Sequence, residues 1–108
     1  MNKELRNRWV AALRSGDYLQ GRNTLVAKKG DRYYFCCLGV FGLVIGGAVT
    51  IYEKDFDDYG ISLEGSIFTQ FLYYPKVPLP INIQKYLGDM NDDGASFETI
   101  ANYIEAHF

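Results

Sequence analysis

Residues 33–52, YYFCCLGVFGLVIGGAVTIY, constrain this chain more than any other stretch, because the run carries no charge at all. Basic residues precede it (Lys28, Lys29, Arg32) and acidic residues follow it (Glu53, Asp55, Asp57, Asp58). A run of about 20 apolar residues is long enough to cross a bilayer as a helix. Gly42 and Gly46 stand at a spacing that lets two helices approach closely in lipid, and the basic flank would place the N-terminus in the cytoplasm. The punctuation favours a different division. Gly39, Gly42, Gly46 and Gly47 interrupt the run, Gly46-Gly47 is a turn signal, and each glycine inside a helix costs about 1 kcal/mol relative to Ala. Val49, Thr50, Ile51 and Tyr52 are β-formers. The pattern therefore predicts a helix over 36–45, a Gly-Gly break and a strand over 48–52. A helix apolar on every side is a buried central element. A small membrane protein spanning 33–52 is the alternative.

The rest of the chain supplies what such an element needs around it. At 108 residues, with 48% hydrophobic and 22% charged residues, the composition is that of one globular domain. Residues 2–15 predict a first helix, with Leu5, Trp9, Ala12 and Leu13 as its core stripe and Gly16 just past its end. Arg6, Arg8 and Arg14 fall off that stripe and read as a solvated face. Residues 18–23 read as a loop, 24–27 and 32–35 as a hairpin around Lys28-Lys29-Gly30-Asp31, and 53–60 as a charged turn. Residues 61–63 and 67–73 are further strand candidates. Pro75, Pro78 and Pro80 mark an extended loop, with Pro80 opening a short helix over 81–87 that Gly88 stops. Ser96 caps a last helix whose stripe is Phe97, Ile100, Ala101 and Ile104. The fold class expected is α+β: one compact domain over 1–108, with an N-terminal helix, a β-hairpin, a buried central helix, further strands and C-terminal helices.

Candidate chemistry is sparse. Cys36 and Cys37 sit where a helix dipole would stabilise a thiolate, which makes them the candidate nucleophiles of a cysteine-dependent hydrolase. Such chemistry needs a base, and the single histidine, His107, is next to the C-terminal residue. The opposite reading is that free cysteines simply pack, as two thiols in a reducing compartment. DMNDDG at 89–94 begins like a calcium loop, but the twelfth position, which requires a bidentate Glu, is Ile100. Two adjacent cysteines and a terminal His do not make a zinc site. No phosphate-cradling glycine motif is present. The expectation is no metal and no cofactor.

Charge is unevenly spread. Residues 1–32 carry a net +5, residues 33–52 none, and residues 53–108 a net −7. The halves either attract each other in the fold or present an acidic face to a partner. Four acids and three aromatics, including Tyr52, Glu53, Asp55, Phe56, Asp57, Asp58 and Tyr59, fall within residues 52–59. Carboxylates steer toward a basic surface and aromatics anchor it, so these seven residues are the candidate partner-binding set, with a solvated turn as the plain alternative. The acidic C-terminal half argues against a nucleic-acid partner. Nine tyrosines exceed what a small core buries, so some belong on a binding surface.

Several blocks taken together carry a resemblance: ALRSGDY at 12–18, Gln20-Gly21, FCCLGV at 35–40, MND at 90–92 and SFETIANYIE at 96–105. This set, in this order, resembles a family of small uncharacterised proteins encoded by tailed bacteriophages and prophages. Members often carry a further Cys shortly after the FCCLGV block, where this chain has Phe41 and Gly42. The resemblance implies a phage accessory protein in the cytoplasm of a bacterial host, without a membrane span and with no set activity. The function expected is non-enzymatic binding of a host or phage protein, with inhibition of a host defence system as one form of it.

Overall fold

The computed structural model describes residues 3–23, 25–45, 51–55, 58–63, 66–68 and 79–108. In chain order these form α1 (Lys3–Arg14), β1 (Leu19–Gln20), β2 (Val26–Lys29), β3 (Arg32–Phe35), α2 (Cys37–Ile45), β4 (Ile51–Asp55), β5 (Asp58–Leu63), β6 (Ser66–Phe68), α3 (Ile81–Asp92) and α4 (Phe97–His107). The chain is α+β, as its pattern predicts.

The uncharged run is divided among three elements. Residues 33–35 belong to β3, residues 37–45 to α2 and residues 51–52 to β4, while 46–50, with the Gly-Gly break, lie outside the described residues. α2 has nine residues, far short of the roughly 20 that a bilayer requires. Among the described residues, no helix is long and apolar enough to cross a membrane. This corrects the reading of 33–52 as one spanning segment: β-formers at both ends draw the flanks into sheets.

α2 is instead the centre of the core. Cys37, Leu38, Val40 and Phe41 are buried, and around them pack Trp9, Val10 and Leu13 of α1, Leu25 and Val26, Leu87 of α3, and Phe97, Ile100, Ala101 and Ile104 of α4. The Trp9 ring lies 4.5 Å from that of Phe41, and its Nε1–H donates to the Cys37 carbonyl at 3.0 Å. Apolar burial and a satisfied indole thus come from one residue. Gly39 lets α2 reach the sheet: a Cβ there would stand 2.1 Å from the Leu25 carbonyl oxygen. Arg8 of α1 donates to the Val44 carbonyl at the far end of α2, where a cation also meets the negative end of the helix dipole.

Two small sheets flank this helical layer. The first has the order β1-β3-β2, with β1 parallel and β2 antiparallel to β3. Residues 18–23, read as a loop, therefore contribute a strand, too short for an alternating pattern to betray it. The hairpin turn narrows to Gly30-Asp31, with Gly30 at φ 65 at the first central position, where a two-residue type II′ turn takes glycine. The second sheet, β4-β5-β6, is antiparallel throughout, and β5 packs against β2 and α2.

The C-terminal helices differ from expectation at two points. Gly88 does not stop α3, which runs on to Asp92 and buries Gly88 within it, and Pro80 is the residue before the helix rather than its first turn. α4 begins as expected, with the Ser96 hydroxyl accepting from the Thr99 N–H at 3.1 Å. α1 and α4 are tied by Arg14, which donates to Glu105 at 3.0 Å and to Asn102 Oδ1 at 2.6 Å, with Glu98 3.5 Å away. Arg14 and Arg8 therefore join helices rather than form a free solvated face.

Candidate functional site

The thiols come first, because they are the candidate nucleophiles. Cys36 ends the approach to α2 and Cys37 opens it, so the helix-start placement holds. The chemistry does not follow from it. Both thiols are buried. Burial pushes the Cys36 pKa up to about 11 and holds the Cys37 thiol well above its ordinary value, because a thiolate there would lose its hydration. The helix-start donors are already used. The Cys37 N–H donates to Asn91 Oδ1 at 3.2 Å, and the Gly39 N–H to Cys36 Sγ at 3.4 Å. The Cys37 thiol itself donates to the Leu87 carbonyl at 3.5 Å. His107 stacks on Tyr103 at 4.2 Å, at the end of α4. Both thiols pack in the core in protonated form.

Asn91 is the residue whose role the sequence left unassigned. It is fully buried and bonded on both sides of its amide. Oδ1 accepts from Cys37 N–H and from Gln20 Nε2 at 2.8 Å, while Nδ2 donates to the Gly21 carbonyl at 2.8 Å and to Asp92 Oδ1 at 3.3 Å. Gln20 Nε2 also reaches the Ala95 carbonyl at 2.7 Å, and the Asp92 carboxylate accepts the Asn23 N–H at 2.8 Å. Gln20-Gly21, the cysteine block and residues 91–92 thus meet in one polar lock at the start of α2. Residues 89–92 are the last turn of α3. They cannot wrap a cation as a calcium loop does, and no metal-ligating cluster occurs among the described residues.

The candidate partner-binding residues fall on the second sheet. The segment read as a turn is largely strand: Tyr52, Glu53 and Asp55 lie in β4, and Asp58 and Tyr59 in β5. Tyr52 is the register partner of Gly60, Glu53 of Tyr59, and Asp55 of Asp58, with an irregularity between Glu53 and Asp55. Phe56 and Asp57 lie outside the described residues.

The first sheet has a depression of about 280 Å³ lined by Gln20, Gly21, Arg22, Asn23, Ala27, Lys29 and Tyr34. Composition gave no hint of it, because its residues come from three separate segments. On the helical side, Tyr86 is half exposed and lies 5.2 Å from Tyr103, so part of the tyrosine surplus does sit on the surface.

A family model described as a domain of unknown function, DUF8296, matches residues 1–58. The chain belongs to this family. The match covers α1 through β4 and reaches the first residue of β5, so it includes the cysteine block and the depression; Asn91, which closes the lock, stands beyond it. No curated protein and no solved structure matches the chain.

Proposed function

We propose that the chain is a non-enzymatic phage accessory protein that binds a basic surface of a host or phage protein through the β4–β5 hairpin, in the cytoplasm of the bacterial host. The observation that carries this reading is the register pairing of Asp55 with Asp58, beside Glu53 opposite Tyr59. Like charges directly opposite destabilise a sheet. A partner that supplies Lys or Arg offsets that cost, and carboxylates accelerate the encounter with it. The burial of Cys36 and Cys37 supports leaving them out of the function. The resemblance to phage-encoded proteins makes a component of a host defence system the partner class to test first.

The experiment is a pull-down from host lysate followed by binding kinetics on two variants, Asp55/Asp57/Asp58→Asn and Tyr52/Phe56/Tyr59→Ser. The first should lower the association rate and flatten its salt dependence. The second should raise the dissociation rate. Unchanged kinetics in both variants, each shown to be folded, overturns the assignment of the hairpin.

A further inference from the structure

We propose that the depression on the outer face of the β1-β3-β2 sheet binds a phosphorylated small molecule of mononucleotide size, its phosphate held by Arg22 and Lys29 and its aromatic part laid against Tyr34.

The first support is how Arg22 is held. Its neighbours are clamped on both sides. The Gly21 N–H donates to the Phe35 carbonyl at 2.8 Å, the Gly21 carbonyl accepts from Asn91, and the Asn23 N–H donates to Asp92. Asn23 stands at φ 71, a conformation non-glycine residues seldom take. Gly21 is needed against Tyr34, since a Cβ there would come within 2.9 Å of the Tyr34 Cβ. The fold thus fixes the backbone on either side of one exposed arginine. Among the described residues, that guanidinium has no carboxylate partner: the ion pairs are those of Arg14 with Glu98 and Glu105. An unpaired guanidinium carried on a backbone held on both sides is available to an anion at a small ordering cost.

The second support is independent of the loop. The hairpin register sets Lys29 directly opposite Arg32, a like-charge pair that an anion between them would relieve. Strand alternation puts Ala27, Lys29, Arg32 and Tyr34 on one face, and the burial of Val26 and Phe35, their neighbours in sequence, identifies the opposite face as the one toward the core. Leu19, the register partner of Tyr34, is 38% exposed on the same outer face. Lys29 Nζ lies 5.6 Å from the centre of the Tyr34 ring, so cation and aromatic surface are adjacent.

Size and surroundings select a small ligand over a polymer. About 280 Å³ is at the lower end of small-molecule sites. The chain beyond the first sheet is acidic, a net −7 over residues 53–108, which disfavours an extended polyanion relative to a small anion.

The test is a titration of the ¹⁵N-labelled protein at low salt with a nucleoside monophosphate, inorganic phosphate, the unphosphorylated nucleoside and a single-stranded oligonucleotide. The monophosphate should give saturable shifts at residues 20–23 and 27–34. Phosphate alone should bind more weakly at the same cations, and the nucleoside should give no shift. Arg22→Gln and Lys29→Gln should each weaken the monophosphate by roughly fivefold or more with the rest of the spectrum unchanged, while Arg6→Gln on α1 leaves it as it was. The proposal is overturned by any of four results: no saturable shift, equal affinity for phosphate and monophosphate, binding indifferent to both variants, or an oligonucleotide that binds at least about tenfold tighter than the monophosphate.

Discussion

Replacing Asn91 by Leu removes a buried amide and leaves the groups it served. Gly21 loses the donor to its carbonyl and Cys37 the acceptor for its N–H. At about 1–3 kcal/mol for each buried polar group left without a partner, Asn91→Leu should cost about 3 kcal/mol or more, read as a shift in the urea midpoint at constant slope. Such a residue is hard to recognise in sequence. An Asn in an acidic stretch before a glycine looks like turn chemistry, and only its partners, 54 to 71 positions away, reveal otherwise. The neighbouring thiols make a prediction with a definite sign. Cys36 keeps its proton more tightly when folded than when unfolded, so its contribution is fully present below the ordinary thiol pKa near 8.5. It is lost as the pH climbs toward about 11. Stability should therefore fall across that alkaline window, and a Cys36→Ala variant should fall less. Maleimide labelling of either thiol in the native protein near neutral pH should be slow, at the rate set by opening of the core.

At the scale of elements, α2 was legible because glycine and β-branched residues punctuate its run, and α4 because Ser96 and its apolar stripe agree with each other. The stop at Gly88 was misread. Glycine lowers helix propensity by about 1 kcal/mol, but burial of Leu87 in the core outweighs that. β1 was missed because two residues carry no period, and β4 was ended too early, at Tyr52, because Glu53 and Asp55 look like turn residues until a partner strand pairs with them. Gly39 carries the element-scale prediction. Its position on α2 is set by the backbone of Leu25, which cannot retreat as a flexible side chain would. Gly39→Ala should gain helix propensity and still destabilise, by at least the roughly 1–3 kcal/mol of core overpacking, measured by chemical denaturation. A neutral or stabilising result would mean that α2 and Leu25 are not in such close contact.

For the whole molecule, the candidate sites were legible to different degrees. The acidic set was visible because its residues are consecutive. The basic depression was not, because Arg22, Lys29 and Tyr34 converge only once β1, β2 and β3 are paired. The same dependence on distant segments applies to the core. Residues 1–58 contain α1 and α2, yet Leu87, Ile100, Ala101 and Ile104, which cover them, lie beyond. A fragment of residues 1–58 should lack a cooperative thermal transition and should expose its apolar helix to a hydrophobic dye. Adding a fragment of residues 79–108 should restore part of the signal if the lock around Asn91 forms in trans.

The lock also has a consequence in time. A chain is made from its N-terminus, and Cys37 and Asn91 are separated by 54 positions. At about 5–20 residues per second, Asn91 follows Cys37 by roughly 3–11 s. Throughout that interval α2, the least polar of the described helices, has α1 beside it but neither the Asn91 side chain nor α3 and α4, which complete its cover. During synthesis, rather than after it, this chain is most exposed to capture by chaperones and to aggregation, and codon changes that slow translation between α2 and α3 should lower its yield without altering the finished fold.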